Sequence, residues 1–239
     1  MIKAITIDFW ETIIKDVYTT EKDRDFKRAH YIIEKLGLKS NATEKIITFF
    51  KDLNEAFKHP SKENYWSILP ENQLKKLFEE YLHISVNEKE FKDILNYYEN
   101  VILEIPPKLT EEIVKEVLQK LSNVYTLVLI SNTGRTPGRV LLKIMEMYEV
   151  KDCFKYFVFS DEIGARKPDP VVFEIAQKLL NLPKNEIVHI GDSVNLDFLG
   201  AKNYGFNAIL YANGMDNIPV EPFIRSFSEL DKVLNEKFS

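Results

Sequence analysis

The hydrophobic pattern of the chain changes at Pro106–Pro107, and this change sharply limits the folds that it can adopt. After the two prolines, short apolar runs alternate with amphipathic helical stretches, which is typical of a parallel sheet whose strands are joined by helices. These predicted strands cover residues 125–130, 156–159, 187–190 and 208–211. Another apolar run, residues 2–7, ends at Asp8. The sequence therefore predicts an α/β core of five parallel strands.

A block of amphipathic helices separates the first predicted strand from the second. Between about residue 16 and residue 105 the apolar residues recur at helical spacing, and none of the runs is typical of a buried strand. Predicted helices cover residues 25–37, 43–57, 73–82 and 88–101, the second of them stopping before Pro60. Pro106 and Pro107 end the block, because proline cannot continue the interior of a helix. We therefore predict a core of residues 1–15 and 106–239 with an inserted all-helical domain of residues 16–105.

The composition is that of a soluble globular protein and argues against several classes of partner. The 239 residues carry a net charge of −5, which gives no basis for binding nucleic acid. The single cysteine, Cys153, excludes an internal disulfide and fits a reducing compartment. No apolar stretch approaches the roughly 20 residues of a membrane span, and the N-terminal residues lack the layout of a signal peptide. We therefore expect a cytoplasmic protein that binds neither nucleic acid nor a membrane.

Four of the predicted strands are followed by polar residues. These are Asp8 after the first, Ser131–Asn132–Thr133 after the second, Lys167 in the loop after the third, and Gly191–Asp192–Ser193 with Asp197 after the fourth. Because the C-terminal ends of parallel strands meet at one edge of a sheet, these side chains are expected to lie close together. Carboxylate oxygens are ligands that suit Mg²⁺, while Lys167 and Ser131 can hold phosphate oxygens. The set therefore predicts a site for an anionic group beside a divalent cation.

Each of these residues has an ordinary structural explanation when it is taken alone. Asp8 could end a strand in a turn, Lys167 could be a solvated loop lysine, and Asp192 could cap the following helix. The explanation is poor for all of them together, since they follow successive strands in order. The histidines show no metal-ligand spacing, and the sequence predicts no role for them. They are His30, His59, His83 and His189.

The ordered set resembles the haloacid dehalogenase (HAD) superfamily of hydrolases. Residues 8–12 resemble its first motif, Ser131 its second, Lys167 its third, and Gly191–Asp192 with Asp197 its fourth. The resemblance covers about the whole chain, because the helical block lies where the family places a small helical cap. It implies a Rossmann-like core with an inserted all-helical cap, which closes over the site and selects a small-molecule substrate.

The resemblance also implies a mechanism. Asp8 is the expected nucleophile, which forms a covalent aspartyl intermediate that water then hydrolyses. Mg²⁺ is expected to be held by the Asp8 carboxylate, the backbone carbonyl of Trp10 and Asp192. The other expected roles are charge stabilisation by Lys167 and Ser131, substrate binding by Asn132, and orientation of the metal site or of Lys167 by Asp197.

Trp10 is the point at which the sequence departs from the phosphatases of the family. These usually have an aspartate there, which acts as general acid to the leaving oxygen and general base to the attacking water. Indole can do neither, and such assistance contributes about 10²–10⁴-fold to the rate. An alkyl phosphate is therefore expected to turn over slowly. Glu11 is the nearest carboxylate, but it is one residue displaced and is expected to face elsewhere.

The same tryptophan leaves two alternatives open. Haloacid dehalogenases of the family carry an aromatic residue at the Trp10 position, since halide departs unprotonated. They are metal-independent, however, and usually have Ser-Asn in the fourth motif, where this chain has Asp192–Ser193; for their cap arginine only Arg24 and Arg28 are candidates. A buried pair of carboxylates calls for a cation, so a Mg²⁺-dependent phosphatase of a small phosphorylated compound is favoured. The other alternative is a non-catalytic HAD-like binding protein.

Overall fold

The chain folds into two compact units, each assembled from segments that are separated in the sequence. The structure is a computed structural model that describes residues 1–17, 20–58 and 66–238. The first unit, here called the sheet unit, comprises Met1–Lys15, Lys108–Asn132 and Met145–Ser239. The second, the helical unit, comprises Asp16–Pro107 and Thr133–Ile144. His59 and the predicted helix end before Pro60 lie outside the described residues.

One long helical stretch lies near the start of the chain, and strands and helices are interspersed along the rest of it. The strands are β1 (Ala4–Ile7), β2 (Ile14–Lys15), β3 (Lys108–Leu109), β4 (Thr126–Ser131), β5 (Tyr156–Phe159), β6 (Ile187–Gly191), β7 (Asn207–Tyr211) and β8 (Phe223–Ile224). The α-helices are α1 (Thr20–Leu36), α2 (Ala42–Lys58), α3 (Pro70–Lys76), α4 (Glu88–Asn100), α5 (Val114–Ser122), α6 (Gly138–Met147), α7 (Ser160–Ile163), α8 (Pro170–Leu180), α9 (Gly200–Tyr204) and α10 (Leu230–Phe238). Among the described residues, no helix has the length and apolar character needed to cross a bilayer.

The sheet unit contains a parallel sheet, which confirms the predicted α/β fold class. Within the described residues this sheet has six strands in the order β5-β4-β1-β6-β7-β8. β1 therefore lies in the interior, where Ile7 pairs with Leu129 of β4 on one side and with Ile190 of β6 on the other. The edge strand β8 was not predicted, because two residues are too few to show a hydrophobic period.

Helices cover the sheet, and this explains why its strands are continuous apolar runs. All four residues of β1 are buried, as expected when both faces of a parallel sheet are packed against other elements. Alternate residues of β4, Val128 and Ile130, share one core cluster with Phe173 of α8 and Ala201 of α9. Full burial of a side chain such as Phe173 contributes roughly 1.5–3 kcal/mol. Thr6 and His189 are polar residues within β1 and β6, whereas the polar residues of the predicted site lie at or beyond the ends of the strands.

A short antiparallel pair marks the place where the chain leaves the sheet unit and later returns to it. β2 pairs with β3, with Lys15 opposite Lys108 and Ile14 opposite Leu109. The next residue, Thr110, donates from its backbone N–H to the carbonyl of Ile13 at 3.0 Å. The two ends of the long insertion are therefore joined by backbone pairing inside the sheet unit.

The helical unit is held together by its own apolar core, and the helices predicted for this block are confirmed. Fully buried residues recur at a spacing of three and four along α2 and face others from α3 and α4. These residues are Ile46, Phe49, Leu53, Leu74 and Ile94. The use of this unit as a substrate-selecting cap stays a prediction.

Residues 133–144 differ from the predicted domain boundaries, which assign them to the core. The structure groups this segment with the helical unit. Its Arg135 is only 6% exposed and donates to Glu21 at 3.0 Å, to Asn54 at 2.9 Å and to the carbonyl of Phe50 at 3.2 Å. A buried guanidinium needs such acceptors, and here they are supplied by α1 and α2. Hydrophobic pattern does not reveal this grouping, because the partners of the charged Arg135 lie far away in the sequence.

Candidate active site

Asp8 directly follows β1 at the edge where the C-terminal ends of the strands meet. Its backbone N–H donates to the carbonyl of Ile190 at 2.9 Å, so the sheet pairing continues through this residue. The chain then turns, and the N–H of Ile13 donates to the carbonyl of Phe9 at 2.9 Å. The turn places the hydroxyl of Thr12 3.1 Å from Asp8 Oδ2, to which it donates. The Asp8 carboxylate, 5% exposed, is therefore buried and oriented.

The ammonium group of Lys167 lies against Asp8, although 159 positions separate the two residues. Lys167 Nζ donates to Asp8 Oδ1, to Asp197 Oδ1 at 2.6 Å and to the carbonyl of Ile130 at 3.1 Å. An ammonium has three N–H donors, and these three acceptors use all of them. The candidate nucleophile and the candidate phosphate-binding lysine thus meet, as the strand-end pattern predicts.

Asn132 and Ser131 lie at the end of β4, next to β1 in the sheet. Asn132 Oδ1 accepts from the backbone N–H of Lys167 at 2.8 Å, and Asn132 Nδ2 donates to the carbonyl of Lys167 at 3.1 Å. Asn132 therefore fixes the backbone that carries the lysine, and its binding of substrate stays a prediction. Ser131 is buried, with its hydroxyl 3.4 Å from the carbonyl of Asn132, and its contact with a phosphoryl group also stays a prediction.

Two further aspartates complete an acidic cluster with Asp8. Asp8, Asp192 and Asp197 each present a carboxylate oxygen, and these oxygens lie within 4.8 Å of one another. Asp197 Oδ2 accepts from the backbone N–H of Ser193 at 3.0 Å, and its Oδ1 accepts from Lys167. A β-carbon on Gly191 would lie 2.3 Å from Asp197 Cγ, so a glycine is required for this close approach. The cluster consists of hard oxygen donors, which fit Mg²⁺.

Burial governs the protonation of the two carboxylates at the centre of this cluster. Burial raises the pKa of Asp8 to about 6, although the charge of Lys167 acts to lower it. Burial, followed by the charges of Asp8 and Asp197, raises the pKa of Asp192 to about 8. Both values mean that ionising these carboxylates without a nearby cation is costly.

Asp197 and Lys167 instead form a stable ion pair. Burial alone would raise the pKa of Asp197, but Lys167 and His189 outweigh it and hold the pKa well below its usual value. Burial would likewise lower the pKa of Lys167, but Asp197 and Asp8 raise it above the usual lysine value. One ammonium thus faces the three carboxylates of the cluster, and the site has an excess of negative charge that a divalent cation would offset.

Trp10 and Glu11 occupy the turn that follows Asp8. The half-buried Trp10 ring packs edge-to-face on Phe9, with the ring centroids 5.7 Å apart and an interplanar angle of 82°. Glu11 has a φ of 57°, in the left-handed region, and its side chain is exposed. The supply of a metal ligand by the backbone carbonyl of Trp10 stays a prediction.

His189 and Thr6 are polar residues of the site region for which the sequence predicts no role. They are opposite each other on the neighbouring strands β6 and β1, and His189 Nδ1 lies 2.8 Å from the hydroxyl of Thr6. His189 Nε2 lies 3.1 Å from Asp197 Oδ1. The sequence feature that could have identified them is that each is a lone polar residue in an apolar run. Their pairing, however, depends on the order of the strands in the sheet.

Comparison with known proteins gives a family match over most of the chain. A family model described as a haloacid dehalogenase-like hydrolase matches residues 2–205. A glyceraldehyde 3-phosphate phosphatase from Pyrococcus abyssi is 33% identical over 82 residues, which are 34% of this chain and 34% of that protein. The match thus spans about a third of the length of this relative.

Solved structures resemble the chain over its full length. A HAD phosphatase from Thermococcus onnurineus has a TM-score of 0.69 and 19% identity, with 100% of both chains covered. A 2-haloacid dehalogenase from Pseudomonas syringae has a TM-score of 0.64 and 22% identity, covering 98% of this chain and 99% of that chain. At these identities the likeness shows the fold alone, and it does not choose between a phosphatase and a dehalogenase.

Proposed function

Because this chain belongs to the family of haloacid dehalogenase-like hydrolases, we propose that it is a Mg²⁺-dependent phosphatase of small phosphorylated compounds. Asp8 is the proposed nucleophile, and the reaction passes through an aspartyl-phosphate intermediate on its side chain. The similarity to a glyceraldehyde 3-phosphate phosphatase over 82 residues supports the phosphatase class.

The observation that carries the proposal is the acidic cluster at the edge of the sheet. Three carboxylates present oxygens within 4.8 Å of one another, and burial with the neighbouring charges raises the pKa of Asp192 to about 8. An ionised Asp192 next to Asp8 is unfavourable without a cation. A metal-independent enzyme would gain nothing from this arrangement, whereas a Mg²⁺ site requires it.

The donor set indicates which residues would hold the ion. Asp8, Asp192 and the backbone carbonyl of Trp10 are the proposed ligands. Asp197 Oδ1 is shared by Lys167 Nζ and His189 Nε2, and its Oδ2 accepts from the backbone N–H of Ser193. Because three partners already engage this carboxylate, Asp197 is proposed to orient its neighbours rather than to bind the ion. When it is bound, Mg²⁺ would neutralise charge between the anionic nucleophile and an anionic phosphoryl group.

The residues of the chain then transfer the phosphoryl group in two steps, first to Asp8 and then to water. An oxygen of Asp8 attacks phosphorus, and the bond from phosphorus to the ester oxygen breaks, with its electron pair staying on the leaving oxygen. Water next attacks the aspartyl phosphate, which releases inorganic phosphate and restores Asp8. Thr12 and Lys167 orient the two carboxylate oxygens. Lys167 and Ser131 stabilise the charge of the transferred group.

Trp10 limits the substrates for which this mechanism is fast. Indole does not protonate the leaving oxygen, and the missing assistance is about 10²–10⁴-fold. We therefore expect a preference for phosphorylated compounds whose leaving group departs without protonation, such as aryl or acyl phosphates, over alkyl phosphates.

The proposal is tested by measuring phosphate release from p-nitrophenyl phosphate and chloride release from 2-chloropropionate, each with Mg²⁺ and with EDTA. We expect phosphate release that depends on Mg²⁺ and is abolished by Asp8→Asn. Chloride release in EDTA without phosphatase activity would overturn the proposal. A Mg²⁺-induced rise in melting temperature without product from a panel of phosphate esters would instead indicate a binding protein.

A dehalogenase is the second candidate, and the aromatic Trp10 is the observation that favours it. Such an enzyme needs an arginine for its substrate or halide. The two candidates from the sequence, Arg24 and Arg28, are each 1% exposed. Arg24 pairs with Asp16, and Arg28 pairs with Asp25 at 2.9 Å. Carboxylates of the helical unit already compensate the charges of both arginines. These arginines therefore support a dehalogenase less strongly than the acidic cluster supports a phosphatase.

A further inference from the structure

A chain of buried polar side chains runs from the centre of the sheet to the candidate active site. Thr6 lies 2.8 Å from His189 Nδ1, and His189 Nε2 lies 3.1 Å from Asp197 Oδ1. Asp197 Oδ1 in turn accepts from Lys167 Nζ at 2.6 Å. All four side chains are at most 2% exposed. Water therefore does not replace these contacts, and each member depends on the next one.

The chemistry of the acceptors determines where the imidazole carries its proton. An ionised carboxylate can only accept, so the nitrogen that faces Asp197, Nε2, must be the one that bears hydrogen. Burial lowers the pKa of His189, which favours the neutral ring, and Nδ1 is then an acceptor. The hydroxyl of Thr6 donates to it at 2.8 Å, since its other acceptor, the carbonyl of Val188, is farther away at 3.5 Å.

We propose that His189 is a positioning residue for Lys167, and that Thr6 sets the tautomer that this role requires. The Nε2–H of His189 fixes Asp197 Oδ1, and Asp197 together with Asp8 and the carbonyl of Ile130 fixes all three N–H groups of Lys167. The inference rests on the proposed function, because the lysine matters most when the phosphoryl group is transferred.

Packing alone would not require a histidine at this position. The ring of His189 meets Phe173 edge-to-face, with centroids 5.4 Å apart, and an aliphatic residue of similar size would fill the same space. A packing residue affects melting temperature, whereas a positioning residue also affects kcat. The two explanations are therefore separable by variants that are matched in stability.

The test compares His189→Leu with His189→Gln, whose side-chain amide can return an N–H donor toward Asp197. We expect His189→Leu to lower kcat about tenfold, equivalent to about 1.4 kcal/mol of barrier, with KM changed less than about twofold. His189→Gln should recover most of the loss. Phe173→Leu is the control: it disturbs the packing against the same ring, and its kcat well below the melting temperature should equal that of the unmodified protein.

A second variant removes the hydroxyl of Thr6 and so tests whether this hydroxyl sets the tautomer of His189. Thr6→Val removes the donor to Nδ1, which allows the proton to move to that nitrogen and turns a lone pair toward Asp197. We expect a smaller fall in kcat than in His189→Leu, and Thr6→Ser should restore the rate. The inference is overturned by unchanged kcat in His189→Leu, or by equal losses in His189→Leu and Phe173→Leu at matched melting temperature.

Nitrogen NMR of the histidine ring gives a measurement that does not depend on turnover. We expect His189, identified by the signal that disappears in His189→Gln, to be a neutral Nε2–H tautomer, and to change in Thr6→Val. A neutral Nδ1–H tautomer would overturn the inference even in an active enzyme. If the unmodified protein hydrolyses no phosphate ester, the proposed function fails, whereas the NMR result still decides the hydrogen-bonded chain.

Discussion

Asp8 shows how a nucleophile is prepared by its immediate neighbours. One oxygen accepts from Lys167 and the other accepts from the hydroxyl of Thr12 at 3.1 Å. Burial raises the pKa of the carboxyl to about 6, so its ionised form at neutral pH depends on compensating positive charge. A desolvated carboxylate in a fixed orientation needs little reorganisation before it attacks.

The substitution Trp10→Asp tests whether the lack of a general acid at this position limits turnover. We expect the substitution to raise kcat/KM on alkyl phosphates by about tenfold or more, as a partial recovery of the 10²–10⁴-fold that such assistance can supply. The effect on p-nitrophenyl phosphate should be smaller, because its leaving group needs little protonation. The measurement is steady-state kinetics on both substrates with saturating Mg²⁺.

The control for this experiment is Glu11→Gln, which removes the exposed neighbouring carboxylate and should leave both rates within about twofold. An equal gain on both substrates in Trp10→Asp would contradict a missing acid. A large loss in Glu11→Gln on the alkyl phosphate alone would identify Glu11 as the acid that replaces the aspartate.

The meeting of the main site residues could be predicted from sequence, but their supporting contacts could not. Asp8, Lys167 and Asp197 follow strands, and the geometry of a parallel sheet brings such ends together. The partner of His189 was not predictable, because it depends on β1 lying next to β6 and on their register. The hydrogen bonds between Asn132 and the backbone of Lys167 could likewise not be predicted, since amide side chains after strands have many possible partners.

At the scale of elements, residues 133–144 are the main departure from the predicted organisation. Arg135 of this segment shares Glu21 Oε1 and Asp25 Oδ1 with Arg28, and the ion-pair distances run from 2.9 to 3.4 Å. The buried Arg24 also pairs with Glu21, at 3.3 Å, so three buried guanidinium groups share these two carboxylates in one network. Removal of Arg135 takes one buried positive charge away from both carboxylates, which weakens the compensation of their charge.

Arg135→Met is therefore expected to lower the free energy of unfolding by about 2–4 kcal/mol, somewhat below the usual 3–5 because Glu21 is partly exposed. The measurement is urea denaturation followed by circular dichroism. Lys143→Met, which changes an exposed cation in the same segment, is the matched control and should change stability by less than about 0.5 kcal/mol. Similar effects of the two substitutions would show that the network contributes no more than the exposed position.

The strands and helices could be predicted where their hydrophobic pattern extends over enough residues to be recognised. β4, β6 and β7 have five or six residues each and correspond to predicted strands. β8 has two residues and shows no period. The helix predicted over residues 73–82 is α3 followed by a π-helical turn, Leu77–Leu82, which apolar spacing does not distinguish from a continuous α-helix.

For the whole molecule, the acidic cluster links stability to pH. Asp8 and Asp192 have folded-state pKa values of about 6 and about 8, above the ordinary 3.8. Their contribution to stability is therefore fully present below about pH 4 and is lost as the pH rises through 6 and 8. Asp197 has a lowered pKa, so its contribution has the opposite sign: it is present above about pH 4 and is lost on further acidification.

The metal-free protein should consequently lose stability between about pH 4 and pH 8, and Mg²⁺ should restore it. We expect the Mg²⁺-induced rise in melting temperature to be larger at pH 8 than at pH 5.5, because protons compete with the ion at the lower pH. At a concentration of 100 times Kd, the stabilisation would be about 2.7 kcal/mol. Differential scanning fluorimetry across this range, with Mg²⁺ or EDTA, provides the measurement.

Asp192→Asn separates the metal effect from other causes of pH dependence. It should raise the melting temperature of the metal-free protein at pH 8, flatten the decline above pH 6, and abolish the response to Mg²⁺. Asp161→Asn, which changes a half-buried acid after β5 outside the cluster, should keep the response. An undiminished Mg²⁺ effect in Asp192→Asn would place the ion elsewhere.

The pairing of β2 with β3 has a consequence for how such proteins can be recombined. Lys15 and Lys108 are direct partners in this pair. The long insertion between them therefore begins and ends at adjacent positions. Thr133–Ile144 nevertheless belongs to the same helical unit. A chimaera that exchanges only the segment between the two lysines would leave Arg135 facing foreign side chains. Domain exchange between relatives therefore has to transplant both segments together.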